Sequence, residues 1–298
     1  MSAGPPERGL PGLPPVGGAF APADASPACV LSHAFDATLL RQFEDAGLNA
    51  SAPTQQLWLD GWLVRLSPGK AKRARCVNAV APGVRAVADK IDDCVARYRA
   101  AGLPPIVRVT PWTEPAGLDE MLAERGWVAF EASLVMARAG LHNCDGDGAD
   151  ALGLRHPRPA GVEEVVETPQ HYAAIVGALR GSSPAEIAAH AARLHTSPVP
   201  YTGVVWRDTH GAVLACGQFA LEARLAGLYD VFTAPPARGR GLATALCARL
   251  LQRAQAAGAL AAYLQVGAGQ ATARAVYRRL GFVEAYGYHY RGVVADPD

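Results

Sequence analysis

Apolar positions along the second half of this chain form short runs separated by turn residues, then stretches with three- and four-residue steps. Tyr201–Arg207, Ala212–Leu221 and Leu225–Thr233 are such runs, with turns at Asp208–Gly211 and Glu222–Arg224. They predict an antiparallel meander, and their apolar character predicts a largely buried sheet. Leu242–Ala257 contains no Gly or Pro. Its Ala243, Leu246, Cys247, Leu250, Leu251 and Ala254 fall on one helical face, with Arg249, Gln252 and Arg253 outward. Leu260–Val266 reads as a strand, Gln270–Phe282 as a helix closed by Gly281, and Tyr286–Val293 as a last strand. Before the meander, Gly161–Thr168 reads as a strand and Pro184–His195, rich in Ala, as a helix.

The first half carries a similar order. Leu31–Gly47 predicts a helix, Gln55–Leu66 a strand and turn, and Pro82 ends the next strand. Val84, Val87, Ala88, Ile91, Val95 and Tyr98 share one face of a helix over Val84–Ala101. Ile106–Val109 is a strand, Pro115–Arg125 a helix with Pro near its start and Gly126 just past its end, and Val128–Met136 a strand. Trp58, Trp62, Trp112 and Trp127 are expected in the core of this half. Residues 1–28 are rich in Pro, Gly and Ala without periodicity and predict a disordered tail. Residues 140–160 read as a linker between units at 29–139 and 161–298. Cys144–Asp150 has the Asp spacing of a calcium loop but lacks the other ligands and the closing Glu.

Composition narrows the class. The chain has 298 residues, half of them apolar and 18% charged, with a net charge of +1. A sizeable core is expected, and no basic field argues for nucleic acid or an anionic membrane. The six cysteines form no C-x-x-C pair and read as buried thiols of a reducing compartment. No apolar run approaches a membrane span, and the N-terminus lacks the pattern of a signal peptide. A cytoplasmic protein is expected, monomer or homodimer. The histidines show no metal-ligand spacing: His190 and His195 are five apart, and ligation from one helical face needs four. His289 in the last strand reads as a surface or packing residue, with the acceptor pocket as the other place for it.

The chemistry concentrates at Arg238-Gly239-Arg240-Gly241-Leu242-Ala243, between a strand and a helix. The first N–H groups of a helix lack intrahelical partners and carry partial positive charge, which suits a phosphate or diphosphate. Gly239 and Gly241 allow close approach. The same six residues also suit a plain strand-to-helix turn. They are not a Walker A loop, because no Gly-Lys-Ser/Thr follows, and they lack G-x-G-x-x-G spacing.

With the segments that follow, the pattern resembles the Gcn5-related N-acetyltransferase (GNAT) superfamily. The family loop, Arg/Gln-x-x-Gly-x-Gly/Ala, is met by Arg238, Gly241 and Ala243. The second signature, Asn-x-x-Ala-x-x-x-Tyr then Leu-Gly-Phe, is met by Ala273, Tyr277 and Leu280-Gly281-Phe282, with Gln270 where Asn is usual. The resemblance covers residues 200–293. The first half, with Gly126-Trp127 in the place of Gly281-Phe282, looks like a degenerate second unit. Its loop, Pro82 to Val87, lacks the pattern, and Val87 is expected to crowd a diphosphate. The implied fold is α/β (α+β): two GNAT-like mixed-sheet domains flanked by helices, arranged in tandem.

The resemblance implies acetyl transfer from acetyl-CoA, as co-substrate, to a small-molecule or peptide amine by direct attack, without a metal. Val231, Phe232 and Thr233 would pair with the pantetheine arm. Arg238, Gly239, Arg240, Gly241, Leu242, Ala243 and Thr244 would hold the diphosphate, with Gln270, Ala273 and Tyr277 lining the site. Tyr277 is the expected general acid. Asp230 is the candidate base, on the argument that burial raises its pKa. Glu222 is a second candidate, and Gln265 stands where some members carry a Glu. The non-enzyme alternative is an acyl-CoA-binding sensor or assembly module. The acceptor is not legible in the sequence.

Overall fold

The computed structural model describes residues 31–141 and 153–293. The expected tail and the centre of the expected linker, with Cys29 and Cys144, lie outside the described residues. The first half contains α1 (Ala37–Ala50), β1 (Gln56–Leu59), β2 (Trp62–Arg65), β3 (Val77–Ala79), α2 (Val87–Ala100), β4 (Ile106–Val109), α3 (Leu118–Glu124) and β5 (Val128–Arg138). The second contains β6 (Glu163–Glu167), α4 (Pro169–Leu179), α5 (Pro184–Thr196), β7 (Tyr201–Arg207), β8 (Val213–Glu222) and β9 (Leu225–Thr233). It ends with α6 (Leu242–Ala256), β10 (Ala261–Gly267), α7 (Ala271–Arg279) and β11 (Val283–Gly292).

Capping chemistry sets several boundaries that periodicity misplaces. α1 starts at Ala37, not Leu31, because the Asp36 carboxylate accepts from the Leu39 amide at 2.8 Å. Leu31 instead forms an isolated bridge with Tyr286. α4 has no counterpart in the sequence reading, though Thr168-Pro169 is a cap followed by an N1 proline. α5 opens on a full capping box of Ser183 and Glu186.

All the strands among the described residues join one eleven-stranded sheet, in the order β1-β2-β3-β4-β11-β5-β10-β9-β8-β7-β6. Two parallel pairs, β3 with β4 and β9 with β10, sit in matching places on either side of the centre. The centre is an exchange. β5 ends the first half yet lies between β10 and β11, while β11 ends the second half yet lies between β4 and β5. Each of the two expected units therefore completes its sheet with the other's last strand.

One large core packs α6 and α7 against one face of the second half, with Leu246, Leu250, Leu264 and Phe282 at its centre. On the opposite face Phe43 of α1 packs with Tyr263 and Tyr286, and α4 covers Val205 and Cys216. Buried Glu44 of α1 takes a two-point contact from Arg108 of β4, with Nη2 to Oε2 at 3.0 Å, and the Tyr286 hydroxyl of β11 donates to it at 2.7 Å. That network ties the halves together through a charge that removal of one partner would leave buried and unpaired.

Two expectations change here. Trp62 and Trp127 are buried, but Trp58 is 65% exposed on the edge hairpin. Arg249 and Arg253 leave the apolar face of α6 as expected, yet both reach Glu164 of β6, at 3.2 and 2.5 Å, where the Trp206 indole also donates. Cys76, Cys94, Cys216 and Cys247 are buried free thiols.

Candidate active site

The site begins as a gap in the sheet. β9 and β10 run parallel and pair from Leu225–Ala261 as far as Leu228–Leu264. Beyond that point β9 continues to Thr233 and β10 to Gly267 without partnering each other. A bulge coincides with the parting: the register with β8 slips between Cys216–Phe232 and Gln218–Tyr229. Asp230 lies inside it with φ +51°, a left-handed conformation that costs a non-glycine residue energy. The unpaired edge of β9 at 230–233 faces the opening, and Val231, Phe232 and Thr233 stand along it.

At the end of β9, Pro235–Ala237 make a short turn, and Arg238 folds back so that its Nε donates to the Thr233 carbonyl at 3.3 Å. Gly239 and Gly241 have φ of +76° and +74°. A Cβ on either would meet nothing within 4 Å, so the space in front of the turn is open. The first helical hydrogen bond of α6 runs from the Ala245 amide to the Gly241 carbonyl. The amides of Gly239, Arg240, Gly241, Leu242, Ala243 and Thr244 have no acceptor among the described residues. Such a cluster of free donors at a helix start is an anion-binding concavity.

Across the opening, α7 brings Ala273 and Tyr277 against the α6 core. Burial, and then nearby Cys247, push the Tyr277 hydroxyl well above the ordinary phenol range. It is therefore protonated at neutral pH, and it makes no hydrogen bond to another described residue. Gln270 precedes α7 without capping it and rests against Gly267.

Asp230 corrects the expectation built on it. Burial pushes its carboxyl up, but His190 and Arg180 pull it further down, so it lies below the ordinary carboxylate range. Arg180 donates to Oδ1 at 2.5 Å and the Gln218 amide to Oδ2 at 2.7 Å. His190 Nε2 stands 3.3 Å from Oδ2, within ion-pair range but off the line of a good hydrogen bond. A carboxylate so well satisfied is a poor proton acceptor. Glu222 sits at the hairpin end of β8, away from the bulge, and accepts from Asn49 at 2.7 Å. Gln265 rests against Gly47 of α1. His289 is buried beside Asp119 at 2.9 Å in the first half.

A cavity of about 190 Å³ opens onto Asp230 from the α4–α5 side. Ser67, Lys70 and Ala71 of the first half form one wall, and Arg180 and His190 the other. Sequence reasoning missed it because the walls are more than a hundred residues apart. A local signal did exist: Glu186, His190 and Arg193 repeat at helical steps, a polar stripe on a helix otherwise rich in Ala. A larger cavity of about 540 Å³, between α6 and residues 155–158, shares no lining residue with this one.

The first half shows the same architecture closed off. At the turn before α2, the Asp60 carboxylate accepts from the amides of Val84 at 3.0 Å and Arg85 at 2.8 Å. Lys90 is fixed to the carbonyls of Asp60 and Pro82 at 2.6 and 2.8 Å. The donors that would meet a phosphate already hold a carboxylate. The expected cause, crowding by Val87, gives way to this one; Val87 is the first residue of α2.

Residues 172–282 match the model of the acetyltransferase (GNAT) family. That segment matches as a GNAT domain. Outside this GNAT domain, residues 37–156 match a model described as the C-terminal part of the probable histone acetyltransferase Rv0428c. Solved structures share the fold at low identity. A GCN5-related N-acetyltransferase from Kribbella flavida is 18% identical, with 86% of this chain and 96% of that one covered and a TM-score of 0.62. A functionally unknown conserved protein from Staphylococcus epidermidis is 12% identical over 80% of this chain and 94% of that one, with a TM-score of 0.53. A tandem GNAT protein from the clavulanic acid biosynthesis pathway is 16% identical over 68% of each chain, with a TM-score of 0.51. A search of curated proteins finds no match by sequence. Among the described residues no helix is long and apolar enough to cross a membrane.

Proposed function

We propose that this GNAT protein is an N-acetyltransferase that moves the acetyl group of acetyl-CoA to an amine. The observation that carries the reading is the free amide array at 239–244, set at the mouth of the gap between β9 and β10. The array suits the diphosphate, with Arg238 and Arg240 adding charge. The open edge of β9 suits the amide groups of an extended pantetheine arm, which would add to it as a strand does. Acetyl-CoA supplies the activated thioester.

The protein's own groups do the rest. A backbone amide of β9 would donate to the oxygen that gains charge as the amine attacks. The Tyr277 hydroxyl, protonated and free, donates to the departing sulfur. The amine must lose a proton. His190, which lines the cavity beside ionised Asp230, replaces Asp230 as the side chain placed to take it.

Calorimetry with CoA and acetyl-CoA on the intact chain tests binding; one molecule per chain is expected, since Asp60 closes the second turn. Release of CoA thiol from acetyl-CoA with a panel of amines tests catalysis. Tyr277→Phe is expected to lower turnover on the order of a hundred-fold while leaving CoA binding intact. Binding without thiol release for any amine, unchanged by Tyr277→Phe, would support the sensor reading instead.

A further inference from the structure

The cavity at Asp230 contains one positive charge more than its negative charges can match. Lys70 faces Glu186 at 3.4 Å, and Arg180 faces Asp230 at 2.5 Å. Those four charges pair off. Arg193 is left over. It is only 8% exposed, and no carboxylate among the described residues lies within ion-pair range of it. Its Nη1 donates to the Ala50 carbonyl at 3.3 Å and the Tyr201 hydroxyl at 3.2 Å. Its Nε and Nη2 have no partner among the described residues, and they are not sealed off from solvent-sized space. Asp230 feels the charge of Arg193 only beyond contact range, and a guanidinium removed from water without a carboxylate in contact is costly, so such a site gains from an incoming anion.

The position of Arg193 says where that anion goes. Arg193 and Ser67 line both the 190 Å³ cavity and a neighbouring one of about 330 Å³, so the guanidinium stands at their junction. His190 lies one helical turn earlier, on the same face of α5. A ligand with its anion on Arg193 would therefore extend past His190 toward Asp230 and the bulge of β9. The arm that runs past His190 to Asp230, about 190 Å³, is below the roughly 300–1,000 Å³ of pockets for drug-sized ligands, which favours a small molecule.

We propose that the acceptor is a small amine bearing a carboxylate, an amino acid or a close relative, with the carboxylate anchored by Arg193 and the amine directed to His190. This rests on the acetyltransferase reading for the amine end only; the anion anchor stands without it.

Matched probes test it. Thiol release from acetyl-CoA is measured with glycine, β-alanine, L-glutamate and L-phenylalanine, each against its carboxamide, the diamide for glutamate. In parallel, binding of the N-acetylated forms of these compounds, and of the corresponding N-acetyl carboxamides, is measured by calorimetry on the CoA-saturated chain. The carboxylate member of at least one pair is expected to win by about ten-fold or more in kcat/KM or in affinity, with the loss of that preference in Arg193→Gln. Arg193→Lys, which keeps the charge but not the planar fork, is expected to fall between and guards against a folding defect in the glutamine variant. CoA binding is expected to be unchanged in both. Equal or better performance by the carboxamides, retention of the preference in Arg193→Gln, or neither turnover nor binding with any carboxylate would each overturn the proposal. Binding of carboxylates that depends on Arg193, without turnover of any amine, would uphold the anchor and remove the acetyltransferase reading.

Discussion

Burial raises the pKa of the Asp230 carboxyl, and its neighbours His190 and Arg180 lower it by more. Only the second influence is invisible in the sequence, since residues 180 and 190 stand on other elements. The glycines of the loop are the opposite case. Gly239 and Gly241 hold positive φ, and their spacing before a helix already marks the turn. Placing a β-branched side chain at the second position adds left-handed strain of roughly 1–2 kcal/mol and fills the open space before the amides. Gly241→Val is expected to lower CoA affinity about ten-fold or more in calorimetry, with a drop of a few degrees in melting temperature. Unchanged affinity would mean that the diphosphate is held elsewhere.

Among the elements, α6 depends on a contact its own pattern does not announce. Its outward Arg249 and Arg253 converge on Glu164, so the helix is tied to β6 as well as packed on the sheet. Burial pushes the Glu164 carboxyl up, but Arg253, Arg249 and the Trp206 indole bring it down to about 2 from an ordinary 4.5. A depressed carboxyl contributes stability above its unfolded value and loses it as pH falls through the folded one. Acid titration is expected to weaken the fold between about pH 4.5 and 2 through this group. Glu164→Gln is expected to flatten that part of the stability profile, measured by chemical denaturation at stepped pH. An unaltered slope would show that the contact adds nothing. In the first half the turn before α2 keeps the shape of the glycine loop but holds Asp60 in place of a ligand. The sequence shows that this loop departs from the family pattern. It does not show that a residue from the β1–β2 turn fills it, because that pairing spans 24 residues and no periodicity records it.

For the whole molecule the exchange of β5 and β11 matters most. Neither half can complete its sheet alone, because each central strand is hydrogen-bonded on both sides by strands of the other half. Thermal or denaturant unfolding is expected to be a single cooperative transition. A chain ending at Phe282, and so lacking β11, is expected to lose folded structure in both halves, seen by circular dichroism and by loss of the near-ultraviolet signal of Trp62 and Trp206. Retention of a folded second half in that truncation would show that the exchange is dispensable. The shared sheet also explains how loop 67–74 of the first half comes to wall the cavity at Asp230.

What the sequence determined by itself is local. Period and turn chemistry placed β4, β7 and β9 at their observed bounds, and the spacing of Arg238, Gly241, Ala273 and Tyr277 marked the loop and the helix that face the gap. Those features follow from backbone geometry within a few residues of each position, so they are written where they act. Tertiary structure decided which strands lie side by side, which charges pair, and which cations, Arg193 among them, have no ion-pair partner among the described residues. Each of those outcomes depends on groups brought together from distant parts of the chain. Only packing reveals that Arg193 remains a buried charge facing open space.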